Sequence, residues 1–579
     1  MSRIAIKRKM PKKIVCIVAL MLTLVCVFIS CDEKHRHSYD EKHKHSYGNW
    51  EVEKVATCTT SGVLTRTCEC GEAETKTTTK KGHTTVVDEA IPATCSATGL
   101  TEGMHCSACN ATLTKQTLIP TIPHTEVIDE AIAPTYTTTG LTEGKHCSVC
   151  NAVLLEQLNI ATIWNGGEVE PTKIVNIDGT YYYEINSAEE LAYVAMVDWS
   201  NCNFILNCDI WLNEDELRFD EEGNLLNDTA SLNIWQRTIE CQHFNGNNHT
   251  IKGVYSAPLI SSCNSIQDLH LKNAYITAGG SYCGGICNSV KSIYRCSFDG
   301  VIYNPDVNFT SIKTCYIGGV AGFIEVTAVD CINYGLIVNH ESGYGIGGIV
   351  GDVDWNFEPI KNCINYGNII STASSSSCLG GIASRGAAIN CINYGNVTGT
   401  NDVCGIGALR QQNCTNYGTV SGNNYVMGIG CEPSNCTNYG AVSGKEYVYG
   451  IGGRYDDDCA TTCTNYGTVS GKKYVSGIGI NATNCTNHGD ITGEDFVGGI
   501  CGKTGGEIKS CKNTGIINGT TNVGAIVGYL DIFSDDSYIS NCYYLKTDTI
   551  NTNLKGIGNL DDATGKCQAK DQTFFGKTS

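Results

Sequence analysis

His83, Cys95 and the pair Cys106-x-x-Cys109 set one imidazole and three thiols close together in the chain. Soft thiolates and an imidazole suit a four-coordinate zinc ion, and Cys-x-x-Cys is a spacing at which one ion can take both sulfurs. Structural zinc, disulfides and free thiols all stay open for this set. A neighbouring stretch repeats the wording: Gly99-Leu-Thr-Glu-Gly-Met-His-Cys-Ser-Ala-Cys-Asn110 against Gly140-Leu-Thr-Glu-Gly-Lys-His-Cys-Ser-Val-Cys-Asn151. Tyr136 stands in the later copy where Cys95 stands in the earlier one, and an earlier unit offers Cys58 and Cys68-Glu-Cys70, whose tighter spacing suits a shared metal poorly. Nearer the amino terminus, a tandem duplication places His35, His37, His43 and His45 within eleven residues. Such a density of imidazoles can capture divalent transition metals, although a slipped duplication forming a polar spacer is the simpler reading. No set of acids, bases or nucleophiles marks a catalytic centre.

The elements that carry these residues are short. Three related units start near His45, His83 and His124 and fill 48–160 as a stalk of small β repeats. At about forty residues, each buries too little apolar surface to stand without a metal or a cross-link. Beyond a linker (161–180), the rest of the chain is governed by repetition. The clearest copies are Cys414-Thr-Asn-Tyr-Gly-Thr-Val-Ser-Gly422, Cys436-Thr-Asn-Tyr-Gly-Ala-Val-Ser-Gly444 and Cys463-Thr-Asn-Tyr-Gly-Thr-Val-Ser-Gly471. A second phrase, Val-x-Gly-Ile-Gly, follows each of them (Val426–Gly430, Val448–Gly452, Val475–Gly479). The phrase cysteines are 331, 363, 391, 414, 436, 463, 485, 511 and 542, a variable period centred in the twenties that marks a solenoid. Runs of four to six residues rich in Val, Ile, Thr and Tyr, broken by Gly or Asn, are strand chemistry. The expected fold is therefore all-β: a parallel, right-handed β-helix.

Alternation along the phrase turns Cys414 and Asn416 inward and Thr415 and Tyr417 outward. Tyr334, Tyr366, Tyr394, Tyr417, Tyr439 and Tyr466 should then align as an outward stripe, a candidate ligand surface for glycan or protein, or a stack that merely stiffens the corner. The repeated cysteines should form a buried, reduced ladder of small hydrophobes. Asp456-Asp-Asp458 is a weak candidate for Ca²⁺, more simply read as a solvated loop, and His488 reads as a surface residue in the tyrosine row.

The string Asn-Cys-x-Asn-x-Gly-x-Val-x-Gly with Val497-Gly-Gly-Ile-Cys-Gly502 resembles the GLUG-type repeats of bacterial surface proteins, also found in the non-catalytic part of IgA-specific metallopeptidases. Phe244-Asn-Gly-Asn-Asn-His-Thr-Ile251 is similar to the signature that opens those modules, with Asn248 for a glycine. The resemblance, covering about Tyr181 to Cys567, implies a β-helix that binds or displays. It does not extend to peptidase activity, because the zinc motif His-Glu-x-x-His is absent and His340-Glu341 continues as Ser-Gly-Tyr.

Charge and targeting complete the reading. Six basic residues and no acid precede an apolar run, Ile14–Ser30, which ends at Cys31. This is an export signal (1–30) whose Phe28-Ile-Ser-Cys31 resembles a lipobox, so Cys31 is the expected lipidated residue and the protein lies outside the cytoplasm, lipid-anchored to a membrane. Without the leader, 34 basic residues face 59 acidic ones, which argues against nucleic acid as a partner. The remaining divisions are a histidine-rich linker (31–47), a cap with the first coils (181–260), the repeat β-helix (261–545) and a carboxyl cap or tail (546–579). Ser187-Ala-Glu-Glu190 reads as a capping box opening a short helix to about Val197. The expectation is a monomeric, non-catalytic surface lipoprotein for adhesion or ligand interaction, with no cofactor beyond structural zinc in the stalk. The alternative is a polysaccharide lyase or hydrolase on the same fold.

Overall fold

The computed structural model describes residues 44–305, 315–341, 345–354, 358–373, 378–407, 409–453, 459–531, 539–560 and 566–576. The leader, Cys31, the first three tandem histidines and the Asp456–Asp458 run lie outside them. The chain divides into two compact units, Met1–His124 and Thr125–Ser579.

The first unit holds two three-stranded antiparallel sheets among its described residues, besides the short pair Gly99–Leu100 with Leu118–Ile119. One joins Glu51–Lys54, Gly62–Thr67 and Ala73–Thr78; the other joins Thr85–Asp88, Gly103–Cys106 and Thr112–Thr114. In the second unit the third repeat builds the same sheet from Glu126–Asp129, Gly144–Cys147 and Val153–Leu155. A threonine-led turn precedes each central hairpin, closed by Thr57 N to Thr60 O (3.0 Å), Thr94 N to Ala97 O (2.9 Å) and Thr135 N to Thr138 O (2.9 Å).

The second unit is a parallel β-helix. One sheet of 23 strands runs from Ile210–Trp211 to Cys567–Lys570; an 11-stranded sheet and a 10-stranded sheet supply further faces. The nine cysteine phrases lie over one another in register: Ile332, Ile364, Ile392, Thr415, Thr437, Thr464, Thr486, Lys512 and Tyr543, each the residue after its cysteine, pair in succession. All nine cysteines are buried, and burial pushes the Cys363 thiol well above its ordinary pKa.

Three features of the phrase explain the stacking. The residue before each cysteine turns the corner in the left-handed region, with φ between 53° and 56° from Asp330 to Asn541. Asn and Asp tolerate that conformation, hence their dominance there; Thr462 is a β-branched exception. The asparagine two residues after each cysteine from Asn333 to Asn513 is fully buried. Its amide donates to the side-chain oxygen of the next asparagine, 2.7–2.8 Å away, from Asn333 through Asn487. It also donates to the carbonyl of its own corner glycine, as from Asn416 to Gly418 at 2.9 Å. Those glycines are obligatory: a Cβ on Gly418 would lie 1.9 Å from the carbonyl oxygen of Gly395.

A helix, α1 (Ala188–Val194), packs against the first coil. Ser187 accepts from the Glu190 N–H at 3.2 Å, while the Glu190 carboxylate accepts from Asn186 N–H at 2.6 Å. It ends three residues earlier than the sequence suggests, and Ala188, Leu191, Ala192 and Val194 face the core. The stretch expected to link stalk and coil differs too. Ile163 is fully buried, Trp164 nearly so, and Ala161 N–H and Trp164 N–H donate to Asp209 and Trp211 of the first coil. Apolar side chains there have a coil edge to cover, so the segment joins the core.

Candidate functional site

The outward face of the 23-stranded sheet carries the tyrosine stripe. Tyr334, Tyr366, Tyr394, Tyr417, Tyr439 and Tyr466 each remain 42–50% exposed, and their rings stack at 4.9–5.2 Å with planes within 4° of parallel. His488 continues the row 4.8 Å from Tyr466, its Nδ1 2.7 Å from Thr514 Oγ1. Ring faces within the row are occupied by neighbouring rings, so what reaches solvent is a comb of phenol edges. A flat ligand cannot lie on those faces. Tyr334 begins the row, with Tyr366 as its neighbour on one side.

The other side of Tyr334 borders a cleft of about 480 Å³ lined by Thr250, His270, Lys272, Ser297, Asp299 and Tyr334. Four successive coils supply it, because Thr250, His270 and Ser297 pair in register and Tyr334 N–H donates to Phe298 O on the preceding coil. His270 Nδ1 lies 2.8 Å from Ser297 Oγ. Burial holds the His270 imidazole below its ordinary pKa, with Lys272 adding to the effect. Burial likewise lifts the Asp299 carboxyl above its ordinary value, against the pull of Lys272. One imidazole, one ammonium, one carboxyl and one aromatic edge thus converge where the regular repeats begin. Tyr334 was expected from sequence; His270, Lys272 and Asp299 were not, because they precede the recognisable phrases and sit a coil apart.

A second concavity of about 530 Å³ is lined by Asp352, Asp354, Arg385, Arg410 and Glu432 among others. Arg410 and Glu432 pair at 3.2 Å, and burial raises the Asp352 carboxyl. A further aromatic row, missed in the sequence, stacks Tyr425, Tyr447, Tyr474 and Phe496 at 4.6–4.9 Å. These rings are half-buried and stand at φ of 53–57°, so they brace a corner.

In the first unit, His83, Cys106 and Cys109 come together as expected, but the fourth donor is Cys58 rather than Cys95. Cys58 belongs to the preceding repeat, brought in as Lys81 N–H donates to Thr57 O at 3.0 Å. Cys95 is buried at the equivalent turn of its own repeat. His45, Cys68 and Cys70 also gather, all donor atoms within 4.8 Å, so the Cys-x-Cys spacing does not keep its sulfurs from a common centre. The order Cys, His, Cys-x-x-Cys was the available signal: it reads Cys58, His83, Cys106, Cys109 and recurs in the sequence as Cys95, His124, Cys147, Cys150. Among the described residues, no helix is long and apolar enough to cross a membrane.

No protein-family model matches the chain, and no curated protein matches it. Among solved structures, it is similar to a crystal structure of "a putative immunoglobulin A1 protease" from Bacteroides ovatus. The two are 17% identical, the match covers 68% of this chain and 86% of that one, and the TM-score is 0.17. A likeness this slight says nothing of activity.

Proposed function

We propose that the chain is a non-catalytic, extracytoplasmic interaction protein, lipid-anchored at Cys31, whose β-helix presents the Tyr334 cleft and the phenol comb to a glycan or a protein. The observation that carries this reading is the convergence of His270, Lys272, Asp299 and Tyr334 at one end of an exposed aromatic row. Pockets that bind combine an apolar wall with a few polar groups that fix orientation. The row extends that contact along the coil axis for a ligand longer than the cleft. Binding of the soluble protein, beginning at Asp32, to glycan and matrix-protein arrays tests this. A ligand whose affinity falls at least tenfold in Tyr334→Ala and Lys272→Ala supports it; ligands unaffected by both substitutions reject it.

The same cleft favours a second reading. A carboxyl whose pKa burial raises, in one cleft with an imidazole, is the equipment of acid–base chemistry on a polysaccharide. Release of reducing ends or unsaturated products from a glycan panel, abolished by Asp299→Asn, would replace the binding role with catalysis.

A further inference from the structure

We propose that Cys58, His83, Cys106 and Cys109 form a structural zinc site assembled from two successive repeats, with the loop cysteine of one repeat completing the His and Cys-x-x-Cys of the next. The four donor atoms lie within 4.8 Å of one another. Cys58 Sγ and Cys106 Sγ are 3.7 Å apart, and Cys109 Sγ is 3.4 Å from His83 Nδ1. Zn–S bonds of about 2.3 Å at tetrahedral angles set sulfurs about 3.8 Å apart, and a Zn–N bond of about 2.0–2.1 Å sets nitrogen about 3.5 Å from sulfur. The geometry matches both. A disulfide would need its sulfurs at about 2.05 Å, far inside the separation found.

The backbone is built for such a site. Asn110 takes φ of 53° so that its N–H donates to Cys106 O at 2.8 Å while Cys106 N–H donates to Ala111 O at 2.9 Å. This tight knuckle turns both thiols of the pair to one side. The turn at Thr57 holds Cys58 opposite, with Thr60 N–H donating to Thr57 Oγ1 at 3.1 Å.

A site shared between repeats also bears on the irregular donor sets of the first and third repeats. The first repeat offers a set of three, His45, Cys68 and Cys70. The third repeat, which no further repeat follows, carries Tyr136 at the loop position. The metal would tie the first repeat to the second, stiffening the connection between them without a hydrophobic core.

The test is metal content and cobalt spectroscopy on the soluble protein from Asp32. After removal of metal and titration with Zn²⁺ or Co²⁺, Cys58→Ser should lose about one equivalent relative to the parent. The double variant Cys58→Ser/His83→Ala should lose no more than either single variant, since both donors serve one ion. His83→Cys should keep the equivalent and shift the cobalt absorption toward an all-sulfur site, a rescue that a merely structural role would not produce. Undiminished metal in Cys58→Ser overturns the proposal. So does separate, additive loss in the double variant, or a disulfide at Cys58 in the native protein by mass spectrometry.

Discussion

Replacing Asn416 with Leu strikes the buried amide ladder at its centre. Asn416 accepts from Asn393 and donates to Asn438, both at 2.8 Å, and donates to Gly418 O at 2.9 Å. Leucine fills a similar volume but leaves an Asn393 N–H, the Asn438 side-chain oxygen and the Gly418 carbonyl buried without those partners. Each such loss costs about 1–3 kcal/mol, and partial relaxation puts the sum near about 3–6 kcal/mol. Thr415→Ala, one residue away but outward-facing, should change stability by less than about 0.5 kcal/mol. In a solenoid the damage should stay near its origin, since each coil contacts only its neighbours. Hydrogen exchange followed by mass spectrometry is therefore the assay. Peptides spanning 391–440 should exchange about a hundredfold faster or more in the leucine variant, while those near 260–300 remain protected. Equal protection in both variants would refute the claim that the amide ladder holds the coils together.

Other outcomes follow from the same geometry. Gly418→Ala should destabilise by at least about 3 kcal/mol, read as a lower urea midpoint, because its Cβ would meet Gly395 O at 1.9 Å. Thr462→Asn should stabilise by about 0.5–1 kcal/mol in the same assay, replacing a β-branched residue at φ of 56° by one that tolerates it. Because burial raises the Asp299 carboxyl, the folded state holds its proton more tightly than the unfolded chain. The first coils should gain stability as pH falls through that raised value toward the ordinary carboxylate range, and Asp299→Asn should flatten the dependence in pH-resolved thermal melts. In the native protein, thiol-alkylating reagents should label exposed Cys459 and spare the ladder from Cys331 to Cys542; labelling of the ladder without denaturant would count against a packed, reduced core.

The coil was legible because its period is written in the sequence. A cysteine and an asparagine two apart, then a glycine, can repeat eight times only if each position meets its own image on the next turn. The reason for the second phrase was less visible. Its glycine at 428 exists because a Cβ there would lie 2.5 Å from the Asn438 side chain on the next coil, a contact between phrases that no single phrase announces. Tyr425 and its partners escaped notice since the signal at that corner is a backbone angle and not a pattern of polarity. Cys58 was missed for a different reason. A donor set sought within one repeat cannot include a residue that the preceding repeat supplies, so Cys95 took its place in the expectation. The cleft at Tyr334 was equally hidden, as His270 and Asp299 converge only through the register that sets His270 beside Ser297, 27 residues further on.

The central claim is that successive phrases stack turn upon turn, and a distance measurement reaches it most directly. Spin labels placed on non-natural residues at positions 334 and 466 span five turns of the tyrosine row. With strands about 4.8 Å apart, pulsed dipolar spectroscopy should return one narrow distribution centred near about 24 Å. A mean well beyond about 40 Å, or a broad distribution without a dominant distance, would contradict the stacked coil.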